Sequence, residues 1–149
     1  MCAWYARRET PEGPFSPTWI RSIGTAPWRP SCCFPGTYLN FEINANGALL
    51  AAYGPSRTYR SYFSKEEAAK FQVRATIGED SWSAHFRIPL TVLERVYGPL
   101  ELKAGSTFFC NFYKISESAD IEHYAAYAPI TSPVPSFHMP EYFTEAVLV

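Results

Sequence analysis

The chain has 149 residues, 47% hydrophobic, 17% aromatic and only 18% charged, with 13 basic against 14 acidic residues and a formal net charge of −1. That length suits one domain with a sizeable core. A near-neutral balance with no basic run longer than Arg7-Arg8 argues against nucleic acid or anionic membrane as partners. No stretch approaches the roughly 18 apolar residues of a membrane helix, and MCAWYARRETPEG lacks the basic-then-apolar order of a signal peptide, so the chain as written is expected in the cytoplasm. Cys2, Cys32, Cys33 and Cys110 include no C-x-x-C pair, and reduced thiols are expected, because adjacent cysteines such as Cys32-Cys33 rarely satisfy disulfide geometry.

Up to about Gly36 the chain holds three Trp, six Pro, four Arg and three Cys without a period of 2 or 3.6, so no element is specified there. Regular signals begin at Tyr38, where Leu39, Phe41 and Ile43 alternate with Asn40, Glu42 and Asn44, the pattern of a half-buried strand. Asn46-Gly47 then predicts a hairpin turn leading into Ala48 to Tyr53. Ser64-Lys65-Glu66-Glu67 has capping-box spacing and predicts a short helix or turn. Phe71, Val73, Ala75 and Ile77 alternate with polar residues, as do Trp82, Ala84, Phe86 and Ile88 beyond Gly78-Glu79-Asp80, which predicts a second hairpin. Pro89 opens a helical pattern over Leu90 to Tyr97 that Gly98-Pro99 stops, and one long strand is expected over Thr107 to Ile115. Alternating strands separated by turns argue for an antiparallel sandwich or barrel rather than a nucleotide-binding α/β fold.

Motifs for phosphate cradling, a serine elbow and a H-E-x-x-H metal site are absent. Glycoside hydrolysis needs two facing carboxyls, for which Glu42, Glu122 and Glu141 are the candidates, and spacing alone brings no two of them together. His123, His138 and Glu141 could hold a metal, as could Cys32, Cys33, Cys110 and one His, although a hydrogen-bonded His is the commoner case. Asn111 and Tyr113, with Asn40, Glu42 and Asn44, offer amides and a ring suited to a sugar, whose C–H faces stack on aromatics while its hydroxyls hydrogen-bond. The plainer alternative is that Asn111 and Tyr113 satisfy neighbouring backbone.

YLNFEINANGALLAAYG, FRIPL, NFYKI, HYAAYAPI and PSFHMPEYF stand in the order and spacing of proteins similar to family 9 carbohydrate-binding modules, over about Tyr38 to Phe143. The resemblance implies an antiparallel, jelly-roll-like β-sandwich with one or two short helices. It also implies non-catalytic binding of a mono- or oligosaccharide clamped between two aromatics, with no cofactor beyond the structural calcium some relatives hold. In such proteins the modules are associated with glycan breakdown and are often joined to glycosidases. Carried over residue by residue, the ligand-binding set is Phe137 and His138 in the last loop, Glu42 and Asn44 on one strand, and Asn111 and Tyr113 on another, while Tyr142 and Phe143 go to the core. Tyr127 stands where relatives tend to have Trp, and Thr144 where they have Gly.

The family's opening strands and the segment that supplies its other clamping aromatic are not recognisable before Tyr38. Back-translating Trp19 to Phe34 and reading from the third base of the Trp19 codon permits DPFNRDCAMEAFLLFP, which resembles that segment. The expectation is therefore a carbohydrate-binding domain over 37–149 preceded by an unmatched, disordered or out-of-frame segment over 1–36. An N-terminally incomplete sandwich of this kind should have low stability, because it leaves an unpaired edge. The alternatives are a glycoside hydrolase using Glu42 and a second carboxylate, or an inactive truncated remnant.

Overall fold

The computed structural model describes residues 2–7, 19–21, 26–27, 36–117, 122–134 and 136–149. Its strands are β1 (Cys2–Arg7), β2 (Trp19–Arg21), β3 (Ala26–Pro27), β4 (Tyr38–Asn44), β5 (Leu49–Gly54), β6 (Ser61–Tyr62), β7 (Arg74–Ile77), β8 (Ser81–Phe86), β9 (Thr107–Cys110), β10 (Tyr113–Ser116), β11 (His123–Ala126) and β12 (Thr144–Val147). Two short helices, α1 (Lys65–Ala69) and α2 (Leu90–Tyr97), and a 3-10 turn at Pro140–Tyr142 complete the elements. All strand pairings are antiparallel, in a six-stranded sheet of order β11-β10-β2-β4-β5-β6 and two three-stranded sheets, β1-β8-β7 and β12-β9-β3. The fold is thus an all-β sandwich.

The hydrophobic period of β4 decides how the layers meet. Leu39, Phe41 and Ile43 share one face and are buried with Ala51, Trp82, Ala84, Phe86 and Cys110, so the six-stranded sheet packs on β8 and β9. Phe41 lies at the centre, its ring 5.0 Å from Phe71 and 5.2 Å from Phe86. Val92 and Val96, four residues apart and so on one face of α2, close the same core. On α1, Ser64 Oγ accepts from Glu67 N while Glu67 Oε2 accepts from Ser64 N, the reciprocal cap that the spacing predicts. Arg95 pairs with Glu67 and lies over the rings of Phe63 and Tyr53, pinning α2 to α1.

Three expectations change. Tyr38 to Asn44 is not half-buried: Asn40 and Glu42 are only 1% and 8% exposed, because the polar face is covered as well as the apolar one. Phe71 and Val73 precede β7 rather than belonging to it, since Gln72 takes a left-handed φ of 49° and the chain turns after α1 to drive Phe71 into the core. The expected single strand from Thr107 to Ile115 is two strands in different sheets. At Asn111 the side chain accepts from the next backbone N–H, Phe112 N, so the ladder is interrupted and the chain crosses from one layer to the other.

Three pieces of the first 36 residues pair into these sheets, β1 on β8, β2 between β10 and β4, and β3 on β9. The rest of that segment, Cys32 and Cys33 included, lies outside the described residues. At the far side of the large sheet, Gly54 lets the following turn fold back tightly. A Cβ there would stand 2.2 Å from Tyr59 O and 2.7 Å from Arg60 Cα. Both obstacles are backbone, so Gly54→Ala must displace the turn. It should cost about 1–3 kcal/mol, read as a fall in denaturant midpoint, and an unchanged midpoint would show that the close approach constrains nothing.

Candidate functional site

The face of the six-stranded sheet opposite the core carries Tyr38, Asn40, Glu42 and Asn44 from β4. Register extends this row. Glu42 is paired through Arg21 to Tyr113, and Asn44 through Trp19 to Ile115, so Tyr113 and Ile115 stand on the same face as the β4 polar residues. Over them lies the terminal loop with Phe137, His138 and Phe143. Phe137 stacks flat on Tyr113, centroids 4.4 Å apart and planes 13° from parallel, and Tyr124 lies 6.1 Å from the same ring. His138 Nδ1 is hydrogen-bonded to the Tyr38 hydroxyl at 2.7 Å, and Phe143 meets Tyr38 edge-on. This is a satellite cluster of Tyr113, Ile115 and Phe137, with Ile130 and Phe143 against it, separate from the main core.

At the other end of the row, Glu42 Oε1 accepts from Asn40 Nδ2 at 3.2 Å and faces Arg60 Nη1 at 3.7 Å. Arg60 is delivered by the turn that Gly54 admits, and nothing in the alternation pattern points to it. Tyr38 was legible, because it sits two residues before Asn40 in the same alternating row. The carboxylate and guanidinium are close enough to attract each other.

The predicted site residues therefore divide. Glu42, Tyr113, Phe137 and His138 converge on one tract, with Phe137 only 9% exposed. Asn44 turns to the hairpin, where its Oδ1 accepts from Asn46 N and Ala48 N. Asn111 is completely buried, its Nδ2 donating to Ala128 O and Tyr142 O while its Oδ1 accepts from Phe112 N and Ala128 N. Tyr142 hydrogen-bonds Thr131 through its hydroxyl at 3.3 Å and is part-exposed rather than in the core. Among the described residues no group of three His, Cys, Asp or Glu is placed to hold a metal, and no helix is long and apolar enough to cross a membrane.

Burial pushes the Tyr113 hydroxyl well above the usual phenol range, reinforced by the negative charge of Glu141. Asn111 lies beside it and acts in the opposite sense. Both Asn111 amide hydrogens are directed to backbone carbonyls, and the buried Tyr113 hydroxyl has no hydrogen-bond partner among the described residues. Burial also raises Tyr38, partly offset by Arg60 and reinforced by Glu42. Both phenols are held in their neutral form.

Residues 31–148 match the family model described as carbohydrate-binding family 9. No curated protein matches the chain. Among solved structures, the chain is similar to a Bacteroides uniformis ATCC 8492 protein whose proposed role is carbohydrate binding, with a TM-score of 0.71 and 22% identity. The alignment covers 87% of this chain and 60% of that one, so the chain spans about three-fifths of that neighbour's length.

Two outcomes follow from the buried groups. Asn111→Ala leaves the Ala128 backbone N–H and C=O without their side-chain partner and should cost about 2–4 kcal/mol of stability, measured by urea unfolding. Because Tyr38 and Tyr113 titrate above their unfolded value of 10.0, their neutral burial stabilises fully below that pH. The melting temperature should fall as pH rises beyond 10, less steeply in Tyr113→Phe, and a melting temperature flat to higher pH would contradict the burial of these phenols.

Proposed function

The chain belongs to carbohydrate-binding family 9, and from that premise we propose that it binds a mono- or oligosaccharide without transforming it, as a module associated with glycan breakdown. The observation that carries this reading is the convergence of Glu42, Arg60, Tyr113 and His138 on one face of the large sheet beneath the Phe137 loop. A sugar presents alternating hydroxyls and C–H surfaces. Glu42 accepts from a hydroxyl, Arg60 donates to a neighbouring oxygen, and the Phe137 ring, held in place by its stack on the buried Tyr113, supplies the apolar contact. His138, fixed by Tyr38, sets the loop over the tract. Asn44 and Asn111 serve indirectly, the first by shaping the hairpin after β4 and the second by fastening the loops that carry the rings.

The surroundings of Glu42 favour a hydrogen-bond acceptor over a hydrolytic group. Asn40 donates to it and Arg60 lies alongside, an arrangement that suits holding hydroxyls.

Isothermal titration with glucose, xylose, galactose and their β-1,4-linked disaccharides tests the proposal. At least one should bind, and Glu42→Gln should weaken it by roughly ten- to a hundredfold, the loss of about 1.5–3 kcal/mol from a charge-assisted hydrogen bond. Chromogenic glycosides should show no turnover. Silence with every sugar, or an unchanged affinity in Glu42→Gln, would remove this reading, and turnover abolished by that substitution would replace it with hydrolysis.

A further inference from the structure

The site row does not end at Arg60. Asn40 pairs with Ala52, and Ala52 pairs with Tyr62 on the edge strand β6, so Tyr62 stands on the same face of the sheet as Asn40 and Glu42, two strands away. Unlike the residues beneath the terminal loop, Tyr62 is 58% exposed. Arg60 joins the two regions. Its Nη1 faces Glu42 at 3.7 Å, its Nε donates to the Tyr62 hydroxyl at 3.2 Å, and its guanidinium carbon lies 5.1 Å from the centroid of the Tyr62 ring. The turn before it is fixed as well, by the close approach at Gly54 and by Tyr59 N donating to Ser56 Oγ at 3.1 Å. A part-exposed aromatic is held beside the Glu42–Arg60 pair on a turn with little room to shift.

We propose that Tyr62 is a stacking subsite for a second sugar unit, contiguous with the Glu42 tract through Arg60, so that the protein selects saccharides of at least two units. The proposal rests on the reading of the Glu42–Arg60 tract as the place where the first unit binds. One hydrophilic unit hydrogen-bonds at Glu42 and Arg60, and the next lays its C–H face on the phenol ring. The guanidinium holds the ring in place and lies within reach of the oxygens of both units. Exposed rings scattered singly over a surface need no ligand. Tyr62 differs in being in register with the polar row and in sharing the Arg60 guanidinium with Glu42.

Titration of wild-type protein, Tyr62→Ala and Tyr62→Phe with glucose against cellobiose, and xylose against xylobiose, tests the subsite. For one of these pairs the wild type should bind the disaccharide about five- to tenfold more tightly than the monosaccharide. Tyr62→Ala should reduce the disaccharide to the monosaccharide affinity while leaving the monosaccharide unchanged, and Tyr62→Phe, which keeps the ring, should retain the advantage. Equal affinity for one and two units in the wild type overturns the subsite and leaves the carbohydrate reading intact. So does a loss in Tyr62→Ala that falls equally on both ligands, because Tyr62 would then act only by holding Arg60. Failure of wild type and both variants to bind any of the four sugars removes the carbohydrate reading, and the subsite with it.

Discussion

One buried side-chain amide holds together the parts of this protein that form the candidate site. Asn111 stands where the chain leaves β9, in the sheet with β12, and enters β10, in the six-stranded sheet. Its oxygen accepts from Phe112 N and Ala128 N, and its nitrogen donates to Ala128 O and Tyr142 O. Four backbone groups that would otherwise be buried without partners are satisfied by a single residue. Two of them lie on the segment leaving β11 and one in the terminal 3-10 turn, so the loop that carries Phe137 and His138 is tied to the crossing point at both ends. A Tyr127 N to Phe112 O bond of 2.8 Å reinforces the same junction.

The alternation from Tyr38 to Asn44 shows how far the sequence could be read. Period 2 correctly separated Leu39, Phe41 and Ile43 from Asn40 and Glu42, because strand geometry alone sends successive side chains to opposite faces. It could not say what covers the polar face, since that depends on a loop about a hundred residues later and on Arg60, which arrives through a turn. From Thr107 to Ile115 the same rule misled. Phe109, Asn111, Tyr113 and Ile115 obey it on paper, yet Asn111 bonds to the adjacent backbone and divides the run into two strands. An asparagine inside an apolar alternating stretch was the available hint, since its side chain competes with ladder hydrogen bonds. The bland alternative for Asn111, that it serves neighbouring backbone, describes its contacts, whereas Tyr113 turns toward Phe137.

Phe137 and Tyr113 also show how rings in one tract can meet two demands. Their stack buries both, which stabilises the loop, and it places the Tyr113 hydroxyl beneath a ring rather than in water. Polar atoms buried in this way are costly unless partnered.

The crossing at Asn111 and Phe112 also joins two separately packed clusters. Cys110 belongs to the main core and Tyr113 to the satellite cluster under the terminal loop, only three positions along the chain. The main chain between them is held at Phe112, whose N–H is taken by Asn111 Oδ1 and whose carbonyl accepts from Tyr127 N, so a change in packing at Cys110 has a short, constrained path to the Tyr113 ring.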